Sequence, residues 1–126
     1  MARYRGLTLR ILGRHSPAIG PGRAELIARI HRTGSISAAA RAMGMSYRRA
    51  WQLVEAMNQS FDGPVVVTEV GGRRGGGAVV TALGKRLVAL YRAMENKAST
   101  AIAPDLRRFC RHLRKSPGSG GGRRPR

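Results

Sequence analysis

The residues best suited to chemistry stand together at Ser46, Tyr47, Arg48, Arg49, Trp51 and Gln52. They occupy the first two turns of a segment in which Ala50, Leu53, Val54 and Met57 recur at spacings of three and four, the signature of an inward helix face. The chemistry this set offers is recognition rather than bond-making. An arginine fork binds guanine bidentately, a glutamine amide binds adenine, and Ser or Tyr hydroxyls hold phosphate. A helix that reads DNA presents its N-terminal residues to base edges in the major groove. The plainer alternative is a pair of ordinary core helices, because alanine pairs, a glycine turn and a serine cap are common in helical proteins.

The elements that would position these residues can be read outward from Gly34 to Phe61, GSISAAARAMGMSYRRAWQLVEAMNQSF. Ser35 and Ser37 are both candidate N-caps of a first helix, expected to begin at Ser37 and rich in strong helix formers. Its alanines keep it thin enough for close packing. Gly44 ends it, since only glycine takes a left-handed C-terminal conformation without a Cβ penalty. Met45 bridges the turn, and Ser46 caps a second helix of roughly 14 residues, consistent with ordinary helix lengths.

Upstream, residues 1–6 form a basic arm, and Leu7 to Leu12 reads as a strand with Leu7, Leu9 and Ile11 on one face and Thr8 and Arg10 on the other. Gly13 to Gly22 reads as a loop. A helix from Pro21 to Arg32 carries the stripe Leu26, Ile27 and Ile30, has Glu25 in its first turn where the macrodipole favours an acid, and stops at Gly34. Downstream, Asp62-Gly63-Pro64 is a break. Val65 to Val70 and Ala78 to Thr81 then read as a β-hairpin around the glycine-rich tip GGRRGGG. After a helical triplet such a hairpin is a wing, whose bare backbone approaches sugar-phosphate closely while Arg73 and Arg74 enter a minor groove or bind phosphate. A nucleotide-phosphate loop is the rival, but Gly84-Lys85 is followed by Arg86, and Val79 stands where the first glycine of GxxxxGK[ST] belongs.

Thr81 caps a longer helix, about Ala82 to Lys97, with the apolar stripe Leu83, Leu87, Leu90, Tyr91 and Met94. The stripe is longer than a small winged core needs, which favours a homodimer surface over folding back on the first helix. Pro104 is expected to interrupt the chain, and Leu106 to Arg114 reads as a separate short amphipathic helix with Leu106, Phe109, Cys110 and Leu113 on one side. The fold class is therefore mainly α with a small β-hairpin wing, divided into the arm 1–6, a winged domain 7–98 including the dimerisation helix 82–98, and a basic, partly disordered tail 99–126.

Composition narrows the partners. The 126 residues hold 24 Lys+Arg against 6 Asp+Glu, a formal charge of +18, which favours a polyanion, nucleic acid above all. From Arg107 onward there are eight basic residues and no acid, either a solvated tail or a source of salt-sensitive, non-specific affinity. A polybasic membrane-surface protein is disfavoured, since no Lys/Arg-faced helix with a bulky apolar face is present. No segment resembles a signal peptide or approaches a membrane span of about 18 apolar residues. The single cysteine, Cys110, builds neither an internal disulfide nor a thiolate metal site, and His15, His31 and His112 fit no metal-ligand spacing. The acids Glu25, Glu55, Asp62, Glu69, Glu95 and Asp105 are scattered, with no pair at a useful helical spacing and no nucleophile–base set. Neither an enzyme nor a cofactor or metal is expected.

Taken together, GSIS, GMSYRRAW, MNQ, the GGRRGGGA wing and TALGKRL with ALY resemble the N-terminal DNA-binding domain of the ModE-type, molybdenum-responsive regulators, itself related to the LysR-type DNA-binding domain. The likeness covers roughly Leu7 to Met94. It implies a winged helix–turn–helix transcription factor of the bacterial cytoplasm and nucleoid, dimerising through its first and last helices on a palindromic operator. Matched by position, Ser46, Tyr47, Arg48, Arg49, Trp51 and Gln52 are its recognition residues, and Arg73 and Arg74 its wing contacts. Molybdate-sensing members carry an oxyanion-binding domain after the long helix. This sequence has a basic tail there, so molybdate binding is not expected of it. An architectural DNA-coating protein with little sequence preference is the alternative.

Overall fold

The computed structural model describes residues 6–14, 17–69 and 77–114. Two strands, β1 (Ile11–Leu12) and β2 (Pro17–Ile19), pair antiparallel across an irregular register that sets Ile11 opposite Ile19 and Leu12 opposite Pro17. Only the end of the expected Leu7–Leu12 strand is paired, although burial alternates as read, with Leu7, Leu9 and Ile11 half-buried and Thr8 and Arg10 exposed. The segment expected as a loop supplies the partner strand instead. Pro17 is tolerated at its first position, where a missing N–H costs least, and Ala18 and Ile19 are buried.

Helix α1 (Pro21–Thr33) starts with proline at its first turn and ends on Gly34, whose φ of 70° lets its N–H reach the Ile30 carbonyl at 2.7 Å. Glu25 lies beyond the first turn, which holds no acid. Its Oε2 accepts from Arg29 Nε at 2.6 Å, so an i,i+4 pair replaces the expected dipole interaction. Helix α2 (Ile36–Ala42) begins one residue earlier than expected because Ser35, not Ser37, caps it, its hydroxyl accepting from the Ala38 N–H at 2.9 Å. The turn passes through Gly44 at φ 71°. Ser46 Oγ accepts from the Arg49 N–H at 3.0 Å and opens α3 (Tyr47–Ser60), 14 residues long.

The wing follows as β3 (Val66–Glu69) and β4 (Gly77–Val80), antiparallel with Val66 opposite Val80. Its base is fixed at two points. The Ala78 N–H donates to the Gly34 carbonyl at 3.0 Å, and Asn58 of α3 binds the entry to β3. Leu26, Ile27 and Ile30 of α1 meet Ile36, Ala39 and Ala40 of α2, Ala50, Val54 and Met57 of α3, and Val65, Val66, Ala78 and Val80 at the wing base. These form one core.

Helix α4 (Ala82–Cys110) runs 29 residues, roughly 43 Å at 1.5 Å per residue. Thr81 caps it, accepting from the Gly84 N–H at 3.0 Å while donating to the Pro64 carbonyl at 2.7 Å. The break expected at Pro104 does not occur. Pro104 lies inside the helix, so the 82–98 helix and residues 106–110 of the expected Leu106–Arg114 helix are one element, and residues 111–114 lie beyond its end. Proline removes a single i→i−4 bond, and Ala101, Ala103 and Leu106 around it are helix formers that carry the backbone through. A second, smaller core forms where Tyr91 packs with Ile19, Ala24, Leu9 and Ile11, and Tyr91 Oη donates to the Leu9 carbonyl at 2.6 Å.

Candidate nucleic-acid interface

The inner face of α3 is set by Ala50, Val54 and Met57, which are buried, with Leu53 half-buried against the same core. That rotation leaves Ser46, Tyr47, Arg48, Arg49, Trp51 and Gln52 exposed together. Tyr47 is 54% and Trp51 42% exposed, a considerable apolar area for side chains without structural duty in the core. The serine cap leaves the first turn ordered without using any of the flanking side chains.

Electrostatics set this edge apart. Among the described residues the ion pairs are Arg29–Glu25 and Arg108–Asp105, both within single helices, so Arg48 and Arg49 have no carboxylate partner. Arg49 is joined by two arginines from other elements. Arg23 of α1 donates from Nη1 to the Pro17 carbonyl of β2 at 2.8 Å. Arg10, just before β1, lies along Gly20, with its Cγ and Nε 3.8 and 4.0 Å from where a β-carbon would stand. Burial first, then repulsion from Arg49 and Arg10, holds the Arg23 guanidinium below its usual pKa. Sequence reasoning placed Arg10 on the outer face of a strand and passed over Arg23. The strand pairing that gathers them was not visible in the spacing.

Asn58 was also missed as a positioning residue. Its Oδ1 accepts from the Val65 and Val66 N–H groups at 2.8 and 3.2 Å, and its Nδ2 donates to the Val66 carbonyl at 2.9 Å. The recognition helix therefore fixes where the wing begins. Arg73 and Arg74 lie outside the described residues. The stripe expected for dimerisation divides: Leu83 and Leu87 are half-buried, Tyr91 is 1% exposed within its own chain, and Leu90 and Met94 are 53% and 41% exposed.

No cluster of three or more metal-ligating side chains occurs among the described residues. No helix among them is long and apolar enough to cross a membrane. What the surface offers is unpaired cations, a glutamine and two aromatic rings around an ordered helix start, with a hairpin docked alongside. Three helices with a glycine-turned pair, followed by that hairpin, define the class: a winged helix–turn–helix protein.

The class narrows on comparison with known proteins. The family of bacterial regulatory helix–turn–helix proteins of the lysR type matches residues 22–85, and the chain belongs to it. The molybdenum-pterin-binding protein MopB of Rhodobacter capsulatus is 51% identical over 85 residues, 68% of this chain and 32% of that protein. The molybdenum transport protein ModE of Azotobacter vinelandii is 41% identical over 85 residues, again 68% and 32%. The DNA-binding transcriptional dual regulator ModE of Escherichia coli K12 is 39% identical over 88 residues, 68% of this chain and 34% of that protein. The resemblance to ModE-type regulators thus holds, and the chain spans about a third of the length of these relatives. Its family is one of regulators rather than enzymes.

Proposed function

We propose that this chain is a sequence-specific, double-stranded-DNA-binding transcriptional regulator that acts as a homodimer. The observation that carries the proposal is the exposed, carboxylate-free start of α3, with Tyr47, Arg48, Arg49, Trp51 and Gln52 presented outward by a helix whose other face is locked in the core. In this reading α3 enters the major groove with Arg49 and Gln52 toward base edges and Ser46 and Tyr47 toward phosphate. The wing 71–77 brings Arg73 and Arg74 to backbone or minor groove. The name of the Escherichia coli relative supports the activity. Two subunits joined through α4 would read a two-fold site with half-sites about one helical turn apart. The protein acts in the bacterial cytoplasm, and genes of molybdenum handling, suggested by the relatives' names, are the class to look for among its targets.

Selection of bound fragments from the native genome, followed by footprinting at physiological salt, tests this. A protected two-fold site is the expected result, and no preferred site would overturn it. Arg49→Ala should relax base preference as well as weaken binding. Arg73→Ala should weaken all sequences alike and flatten the salt slope by about one.

The charge of +18 favours one other reading, an architectural protein that coats DNA with little preference. Deleting residues 111–126, beyond the end of α4, separates the two. A regulator keeps its preferred site against competitor DNA, whereas a coating protein loses most of its affinity for every sequence.

A further inference from the structure

The basic edge does not stop at the recognition helix. Arg10, just before β1, lies along Gly20, and Arg23 of α1 bonds to Pro17, so both stand against β2, which also packs on α3, the helix that carries Arg49. Like charges are not gathered by their own attraction, and none of the three has a carboxylate partner among the described residues. Arg23 is held in place all the same, with one guanidinium nitrogen donating to the Pro17 carbonyl at 2.8 Å and further N–H donors on the same fork. Burial, then repulsion from Arg49 and Arg10, disfavours the Arg23 cation, and an anion bound beside it would offset both.

The position of the cluster suggests which anion. The wing base docks on Gly34 at the C-terminal end of α1, and Arg23 stands near the other end of the same helix. Ten residues of helix lie between Arg23 and Gly34, eleven rises or about 16 Å along the axis. That is of the order of the roughly 12 Å width of a major groove, so on the DNA-binding reading the two ends of α1 can reach backbone on either side of a helix lying in it. Resting on the DNA-binding reading above, we propose that Arg10 and Arg23, beside Arg49, form a second backbone-phosphate contact for duplex DNA at the opposite end of α1 from the wing. The two contacts hold the recognition helix between them, so its base-reading side chains enter the groove in one register.

Binding isotherms against salt test the contact, using a selected site and a scrambled duplex with the full chain, Arg10→Gln, Arg23→Gln and the double variant. The double variant should flatten the slope of log affinity against log salt by about one to two on both duplexes. The ratio between the two affinities should stay the same. Arg10→Gln is the decisive arm, because Arg10 is exposed and glutamine keeps the Cγ that lies along Gly20, so the melting temperature should stay near wild type. A wild-type slope in Arg10→Gln, with only Arg23→Gln weakened and thermally destabilised, would overturn the proposal and leave Arg23 a structural tie to Pro17. Titration with inorganic phosphate at constant ionic strength separates the two sources of the anion. Saturable phosphate binding that Arg10→Gln abolishes, with the DNA slope untouched, would also overturn it. If the wild type prefers no site but the variants still flatten both slopes, the sequence-specific reading fails and the phosphate contact stands.

Discussion

Asn58 ties three backbone groups at the wing's entry to the recognition helix, and no other side chain among the described residues bonds them. Asn58→Ala leaves buried donors and an acceptor without their partner, which costs about 1–3 kcal/mol per orphaned group. Urea unfolding should show a loss of about 2 kcal/mol or more on that basis, and DNA affinity should fall on all sequences alike as the wing loosens. A loss under about 0.5 kcal/mol, the range of an ordinary surface change, would mean the wing is held elsewhere. The sequence contains Asn58 within MNQ, but its partners lie seven and eight residues away across the Asp62-Gly63-Pro64 break, so no local rule assigns them. The recognition residues were legible for the opposite reason. Ala50, Val54 and Met57 fix the inner face by spacing alone, and once that face is set the exposure of Arg48, Arg49 and Gln52 follows.

At the scale of elements, what the sequence disclosed was local. Ser46 and Thr81 as caps, and Gly34 and Gly44 as left-handed stops, each act within four residues of themselves. What it hid was long-range: the pairing of Pro17–Ile19 with Ile11–Leu12, and the passage of α4 through Pro104. Gly84 sits between these cases. Its place beside Lys85 looks like part of a phosphate loop, yet its use is packing, because a β-carbon there would stand 2.4 Å from the Val65 carbonyl oxygen and 2.8 Å from Val80 Cγ1. Two effects compete in Gly84→Ala. Helix propensity gains about 1 kcal/mol, while overpacking costs about 1–3 kcal/mol. The carbonyl cannot swing aside as a flexible side chain would, so the clash wins and the variant should melt lower. A higher melting temperature would show that α4 can slide freely off Val65 and β4 at the wing base. Pro104→Ala runs the other way. Restoring the missing N–H, at a position where proline costs about 3 kcal/mol in a helix interior, should deepen the helical circular dichroism and slow amide exchange in the turns around residues 104–110. Unchanged exchange would mean that this end of α4 frays for other reasons.

For the whole molecule, two properties exceed what a lone small domain requires: a charge of +18 and a 29-residue helix that outruns the core. Periodicity grouped Leu83, Leu87, Leu90, Tyr91 and Met94 into one stripe but could not tell which of them meets its own chain. The division has a physical cause. Tyr91 carries a hydroxyl that reaches the Leu9 carbonyl, so burial against the N-terminal segment satisfies it. Leu90 and Met94, one residue before and three after, have rotated past that contact and remain exposed. If the proposed homodimer forms through α4, these two side chains are its apolar centre, and charge there is strongly unfavourable when desolvated. Leu90→Glu with Met94→Glu should therefore give a monomer by sedimentation at concentrations where the wild type is a dimer. Its unfolding should stay near wild type, since neither side chain is in the core. Affinity for a single half-site should be retained, while affinity for the two-fold site falls by the effective-concentration advantage, about 10²–10⁴-fold. Tyr91→Ala is the contrasting variant, losing thermal stability because it empties the second core. A double Glu variant that still sediments as a dimer would move the interface off this face of α4, and a wild type that stays monomeric on its site would remove the two-fold operator from the proposal altogether.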